Sequence, residues 1–242
     1  MGLKDKLVGF LRRYFFNPKW RCLACGKEIF DDRDFCEQCE STLPYNDGAI
    51  CGHCGRKVIA YEEYCSTCKN VLVSLDKCRS AFVYAQPIST LIKKAKYDNA
   101  RYLIDYFSSV LENIYLKNYF NADYLVFVPM TEKAKKKRGY NQSELLARNL
   151  SKRINVPVLD CIKKIKDTER QATLNRKERI KNLNGAFRVH DKKTIKDKSV
   201  VIVDDVSTTG STAQVIAERL KNAGAKIVNL ITVASASPID QY

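Results

Sequence analysis

The stretch Val200-Val201-Ile202-Val203-Asp204-Asp205-Val206-Ser207-Thr208-Thr209-Gly210-Ser211-Thr212 decides how this chain is read. Four apolar β-formers in a row predict a strand buried on both faces, as in a parallel sheet. Two carboxylates follow at its C-terminal end, then a turn of hydroxyls and glycine, then a helix over 211–222. In open α/β sheets, ligands bind outside the carboxyl ends of strands. The turn can aim backbone N–H groups and hydroxyls at one phosphate, with the helix N-terminus behind them. Gly210 lets the backbone come close. Asp204 and Asp205 would repel a bare phosphate at that spot. They suit the hydroxyls of a phosphorylated sugar instead, with phosphate on Ser207, Thr208, Thr209, Gly210, Ser211 and Thr212 and the ribose diol on the acid pair.

Outward from this stretch, apolar segments alternate between strand and helix character. Strands are predicted over 81–86, 124–128, 186–189, 199–203 and 226–233, with 156–161 extended. Helices are predicted over 89–97, 101–116, 141–154 and 211–222. The 101–116 segment carries one stripe of Leu103, Tyr106, Phe107, Val110, Leu111 and Ile114. The alternation implies an α/β fold with a mostly parallel, buried sheet. After the strand ending near Pro129 comes a basic loop with Lys133, Lys137, Arg138 and Gly139, where a pyrophosphate could be held.

The first third of the chain is different. Cys22, Cys25, Cys36 and Cys39 read C-x2-C-x10-C-x2-C, and Cys51, Cys54, Cys65 and Cys68 repeat it 29 residues later. Two C-x2-C knuckles close a tetrahedron around zinc, and four cysteines leave no open position, so both sites are expected to be structural. The repeat favours two sequential ribbons, each one complete unit, over a cross-brace of first with third knuckles. The segment is too short and polar to fold on its own core, so metal supplies folding energy of about 10 kcal/mol or more per site. His53 stands inside the third knuckle but is surplus to a filled tetrahedron. Cys78 and Cys161 are spare and read as small buried hydrophobes.

The chain has 242 residues, 45% hydrophobic and 29% charged, with net charge +15. That composition excludes a disordered chain, and no apolar run approaches ~18 residues, which excludes a spanning helix. Lys4, Lys6, Arg12 and Arg13 interrupt the N-terminal apolar stretch, so no secretory signal is expected. Ten cysteines without an export signal argue for metal in a reducing, cytoplasmic setting. Residues 1–16 read as an amphipathic helix that packs on its own protein or lies on a membrane surface. Residues 1–80 hold 13 basic and 11 acidic side chains, whereas 81–242 hold 29 and 16, a net of +13. With two zinc ions on eight thiolates, the first part becomes about −2. The basic surface therefore belongs to the second part and attracts phosphate, on a small molecule or along a nucleic acid. The expected division is 1–19 helix, 20–79 tandem zinc ribbons and 80–242 sheet domain.

The stretch from Val200 to Thr212 resembles the binding motif of the type I phosphoribosyltransferases, position by position. That resemblance implies phosphoribosyl pyrophosphate as ligand, with Mg²⁺ held through its diphosphate oxygens. Arg138-Gly139-Tyr140-Asn141-Gln142 with Glu144-Leu145-Leu146-Ala147 resembles the ComF family of competence proteins. So do Gln171-Ala172-Thr173-Leu174 with Arg176, Arg179 and Asn182, and Gly185-Ala186-Phe187. A four-cysteine segment ahead of a phosphoribosyltransferase-like domain belongs to the same resemblance, although one such site is its minimum and this chain carries two. The ComF resemblance implies a role in natural transformation, handling incoming single-stranded DNA in the cytosol with a competence helicase and recombination mediators. Two other readings stay open. One is a working phosphoribosyltransferase that makes a nucleotide from a free base. The other is a zinc-ribbon interaction module with a vestigial phosphoribosyl site. No segment declares a base specificity.

Overall fold

The computed structural model describes residues 20–58, 62–69, 74–98, 100–167, 182–208 and 210–236. The expected helix over 1–16 lies outside them, as do Thr209, Gln171, Ala172, Thr173, Leu174, Arg176 and Arg179.

Strand β5 (Ser199–Ser207) runs through the middle of a four-stranded sheet ordered β1-β6-β5-β2, with β1 Lys77–Val83, β2 Tyr124–Phe127 and β6 Ile227–Ser235. All three pairings are parallel. Alternate side chains of β5 enter separate cores. Val201 and Val203 pack with Leu103, Phe107 and Leu111 of α4 (Tyr102–Lys117) and with Leu146 and Leu150 of α6 (Gln142–Ile154). Val200 and Ile202 pack with Ile216, Ala217 and Leu220 of α8 (Ser211–Asn222). The apolar run at 200–203 is thus buried on both faces, each side chain contributing about 1.5–3 kcal/mol of transfer free energy.

Three expectations shift. The first strand starts at Lys77 and ends at Val83, not 81–86, because Lys77–Val83 finds β6 as a partner while Pro87 is followed by α3 (Ile88–Tyr97). The last two strands run longer than the apolar pattern suggests. Pairing continues past the acid pair, with Asp204 opposite Thr232 and Ser207 opposite Ser235. The basic loop at 133–138 is a short helix, α5 (Glu132–Arg138). Thr131 caps it by accepting from the Ala134 N–H, Gly139 ends it at φ 86°, and its cations gather at the C-terminal end. Residues 156–161 contribute one parallel bridge, Leu125 with Val158, and lead into a small antiparallel pair of β3 (Ile162–Lys164) and β4 (Phe187–Val189).

The zinc segment docks on the edge strand β1. The Val83 N–H donates to the Pro44 carbonyl at 2.7 Å and the Asn46 N–H to that of Ala81 at 2.9 Å, which covers an otherwise open sheet edge. Phe35 is fully buried edge-on against Tyr106, and Tyr45 lies over Phe82. Further on, Gly55 sits at φ +69°, where a Cβ would come within 2.5 Å of the Cys78 carbonyl oxygen. Asn46 Nδ2 donates to the Gly55 carbonyl, and Arg79 donates to the carbonyl of Gly52 and to Asn118 Oδ1. Both ribbons are therefore seated on the sheet domain. Among the described residues no helix is long and apolar enough to cross a membrane.

Gly55→Ala forces left-handed backbone strain and a backbone clash together. It should lower stability by about 1–3 kcal/mol or more, read as a shift of the urea unfolding midpoint. An unchanged midpoint would mean that the second ribbon is not held against Cys78.

Candidate phosphate and diphosphate site

The carboxyl end of β5 opens between two cavities. The smaller, of about 60 Å³, is lined by Ser207, Thr208, Gly210, Ser211 and Thr212 of the turn, with Asp204, Val206, Ala213 and Leu230 below. That volume takes a few water-sized groups, the scale of one phosphate. Gly210 stands at φ +73° as the residue before α8, so the turn needs glycine for its backbone angle. The twelve-residue α8 points its N-terminus at this cavity. Five of the six residues expected to hold phosphate come together here; Thr209 lies outside the described residues.

The larger cleft, of about 300 Å³, shares Asp204 and Thr212 with the first and adds Lys96, Arg138, Ser143 and Lys164. Asp205 pairs with Lys96 Nζ at 2.8 Å. Asp204 Oδ1 accepts from Ser143 Oγ at 2.6 Å and from the Asp205 N–H at 2.9 Å. Burial and the adjacent Asp205 push the Asp204 carboxyl up to about 7, against the pull of Ser143 and Lys96. Burial opposes the charge on Lys96, yet Asp205 and then Asp204 hold its ammonium above the usual lysine range. The cleft thus joins three carboxylates, Asp204, Asp205 and Asp167, to three cations, the third being Arg138. Its guanidinium donates to Gln142 Oε1 at 2.9 Å and lies over the Tyr97 ring.

Among the residues expected to hold a pyrophosphate, only Arg138 lines the cleft. Lys133 and Lys137 project from the solvent side of α5, and Gly139 is its left-handed cap. Of the aromatics near the basic patches, Tyr140 is buried with its hydroxyl on the Ala95 carbonyl, whereas Tyr97 and Tyr102 are exposed. Lys164 belongs to the basic run 163–166, a phosphate-attracting patch in the sequence, whereas Lys96 and Ser143 do not stand out there as site residues. Ser143 had a signal, since Asn141-Gln142-Ser143 opens α6 and Asn141 caps it. Lys96 had none, being one of three lysines in α3 that only the tertiary fold tells apart.

The eight knuckle cysteines form two groups, Cys22, Cys25, Cys36, Cys39 and Cys51, Cys54, Cys65, Cys68, with sulfurs within 4.8 Å of one another in each. Sequential pairing therefore holds. Cys25 and Cys36 sulfurs are 3.8 Å apart, and Cys54 and Cys65 sulfurs 3.7 Å. A tetrahedron with Zn–S near 2.3 Å has edges of about 3.8 Å, so the donors fit zinc. The repeat extends to the backbone. Arg21 bridges Glu28 and Ile50 bridges Lys57, while Gly26 and Gly55 share a left-handed φ. Burial opposes ionisation of Cys22, yet N–H groups of Cys25, Cys36 and Ala24 bring it down to about 6. Thiolate character in so tight a group calls for a cation. His53 is no ligand; its ring stacks on Tyr64. Cys78 and Cys161 are buried, as expected.

Two family models match different parts of the chain. Residues 140–240 match the phosphoribosyl transferase domain family, and residues 12–69 match the double zinc ribbon domain family. Competence protein F of Haemophilus influenzae is 31% identical over 234 residues, covering 92% of this chain and 99% of that protein. The chain belongs to the ComF family. Two more relatives are the DNA utilization protein YhgH of Escherichia coli, 28% identical over 86% of this chain and 87% of its own length, and competence protein ComFC of Bacillus subtilis, 26% identical over 85% and 84%. This ComF-family chain thus joins two structural four-cysteine zinc sites to a phosphoribosyltransferase-type sheet.

Metal analysis of the purified chain should find two zinc ions, and Cys36→Ser should reduce this to about one. Two zinc ions remaining in Cys36→Ser would contradict the ligand assignment. Asp204 supplies a pH test. A carboxyl titrating near 3.8 when free and at about 7 when folded costs stability as pH rises between those values. Unfolding midpoints at about pH 5 and about pH 8 should therefore differ more in wild type than in Asp204→Asn. Equal differences would mean that Asp204 is not held in its protonated form.

Proposed function

We propose that this chain handles single-stranded DNA in the cytosol during uptake or use of DNA, and that its sheet domain binds phosphoribosyl pyrophosphate with Mg²⁺. The observation that carries the ligand is the pair of adjoining cavities. One is a phosphate-sized turn at a helix N-terminus. The other holds Lys96, Arg138 and Lys164, and the acid pair stands between them. The sugar phosphate would sit on the turn. The diphosphate would extend toward the cations, and the ribose hydroxyls would donate to Asp204 and Asp205. Mg²⁺ would bind through diphosphate oxygens and water. The role of Lys96 is to neutralise Asp205 beside an anionic ligand.

The DNA reading draws on the relatives' names and on the charge. The net +13 of residues 81–242 includes Lys133 and Lys137, which face solvent on α5 outside the small-molecule cleft. Exposed lysines of that kind suit backbone phosphates, and exposed Tyr97 and Tyr102 offer stacking faces. A competence helicase and recombination mediators are the partners this role implies. The phosphoribosyl transferase domain match favours a second reading, transfer of the phosphoribosyl group to a base. That reading requires pyrophosphate release from phosphoribosyl pyrophosphate with at least one of a panel of bases.

Phosphoribosyl pyrophosphate with Mg²⁺ should raise the melting temperature. Lys96→Met should weaken its binding about tenfold or more, through loss of a charge-assisted pair beside the diphosphate. Full affinity in that variant would place the ligand elsewhere. Single-stranded DNA should bind the full chain with a steep salt dependence. Lys133→Ala with Lys137→Ala should flatten the log–log slope by about 0.7 for each phosphate contact removed. Binding indifferent to salt would defeat the DNA reading.

A further inference from the structure

The second zinc ribbon touches the phosphate turn. Arg56, the residue after Gly55, donates from its guanidinium to the Thr208 carbonyl oxygen at 2.8 Å, a contact between residues 152 apart in sequence. Arg56 does not line either cavity, so it does not reach the ligand itself. It holds the turn from behind. The root of the same turn is tied on another side, where the Ala236 N–H donates to the Ser207 carbonyl at 3.0 Å. The turn is thus held at Thr208 by the ribbon and at Ser207 by the end of the last strand.

The position of Arg56 depends in turn on the metal site. It lies two residues beyond Cys54, on the same knuckle hairpin, and the Cys51 N–H donates to the Arg56 carbonyl at 2.7 Å. Gly55 is pressed on the Cys78 carbonyl, and its own carbonyl accepts from Asn46. A loosened knuckle would move Arg56 off the turn.

We infer that Arg56 is a positioning residue that couples the second four-cysteine site to the phosphate turn, so that zinc there and a phosphate-bearing ligand at 207–212 stabilise each other. This rests on the reading of the turn as a phosphate site. Coupling of this kind is reciprocal. Zinc in the second ribbon tightens ligand binding, and ligand slows loss of that zinc.

The test uses the full zinc-loaded chain with phosphoribosyl pyrophosphate and Mg²⁺ as probe. Calorimetric titration of Arg56→Ala should show affinity about three- to tenfold weaker than wild type, with two zinc ions still bound and the melting temperature little changed. Arg56→Lys, which keeps one donor, should recover part of the loss. In the second arm, a chromogenic chelator draws zinc from the chain. The probe should slow release of one of the two zinc ions in wild type and have no such effect in Arg56→Ala. Equal affinity for wild type and Arg56→Ala would overturn the inference and leave the phosphate site standing. No probe binding by wild type would overturn both. Should Arg56→Ala fail to fold, the wild-type chelator arm decides alone, and zinc release indifferent to the probe overturns the coupling.

Discussion

Two adjacent carboxylates at the end of a fully buried strand are the constraint around which this molecule is arranged. Val200 to Val203 must lie between two layers of helices, which delivers Asp204 and Asp205 side by side to a half-buried place. Each therefore has its own partner from a different element. Ser143, at the start of α6, donates to Asp204, and Lys96, at the end of α3, pairs with Asp205. Those contacts draw three segments, far apart in the chain, around one cleft. They also keep the site electrically mixed, with acids for hydroxyls and cations for phosphate.

The zinc segment is part of the same construction. Ribbons of this length have little core of their own, so metal holds each knuckle and the sheet domain supplies the surface. The first ribbon buries Phe35 against α4, and residues 44–46 close the edge of β1. The second ribbon fits on Cys78 only because residue 55 is glycine. A ribbon seated so closely sets its neighbours, and Arg56 carries that placement to the turn after β5.

Much of this was legible before any coordinates. The apolar run, the acid pair and the turn at 207–212 are contiguous, so local chemistry alone brings them together. The cysteine spacing did the same for both zinc sites, and the 29-residue period pointed to sequential pairing. What the sequence did not show depends on contacts between distant segments. Lys96 is indistinguishable from Lys93 and Lys94 until α3 packs beside β5. The stretch 133–138 looked like a basic loop because its lysines mask a helix whose signals are the cap at Thr131 and the stop at Gly139. That helix turns Lys133 and Lys137 away from the cleft and leaves Arg138 inside. Strand ends depart from the apolar pattern wherever pairing with β6 continues past it.

The central claim is that one ligand spans both cavities, phosphate on the turn and diphosphate among the cations. Competition calorimetry tests it most directly, with phosphoribosyl pyrophosphate titrated into the full chain in the presence of ribose 5-phosphate, of pyrophosphate, or of both. The account predicts that each fragment competes, that the two occupy the protein together, and that the whole ligand binds far more tightly than either. Competition by pyrophosphate alone, with ribose 5-phosphate without effect even at high concentration, would contradict it. The cleft would then be a general polyanion site and not one shaped for a phosphorylated sugar.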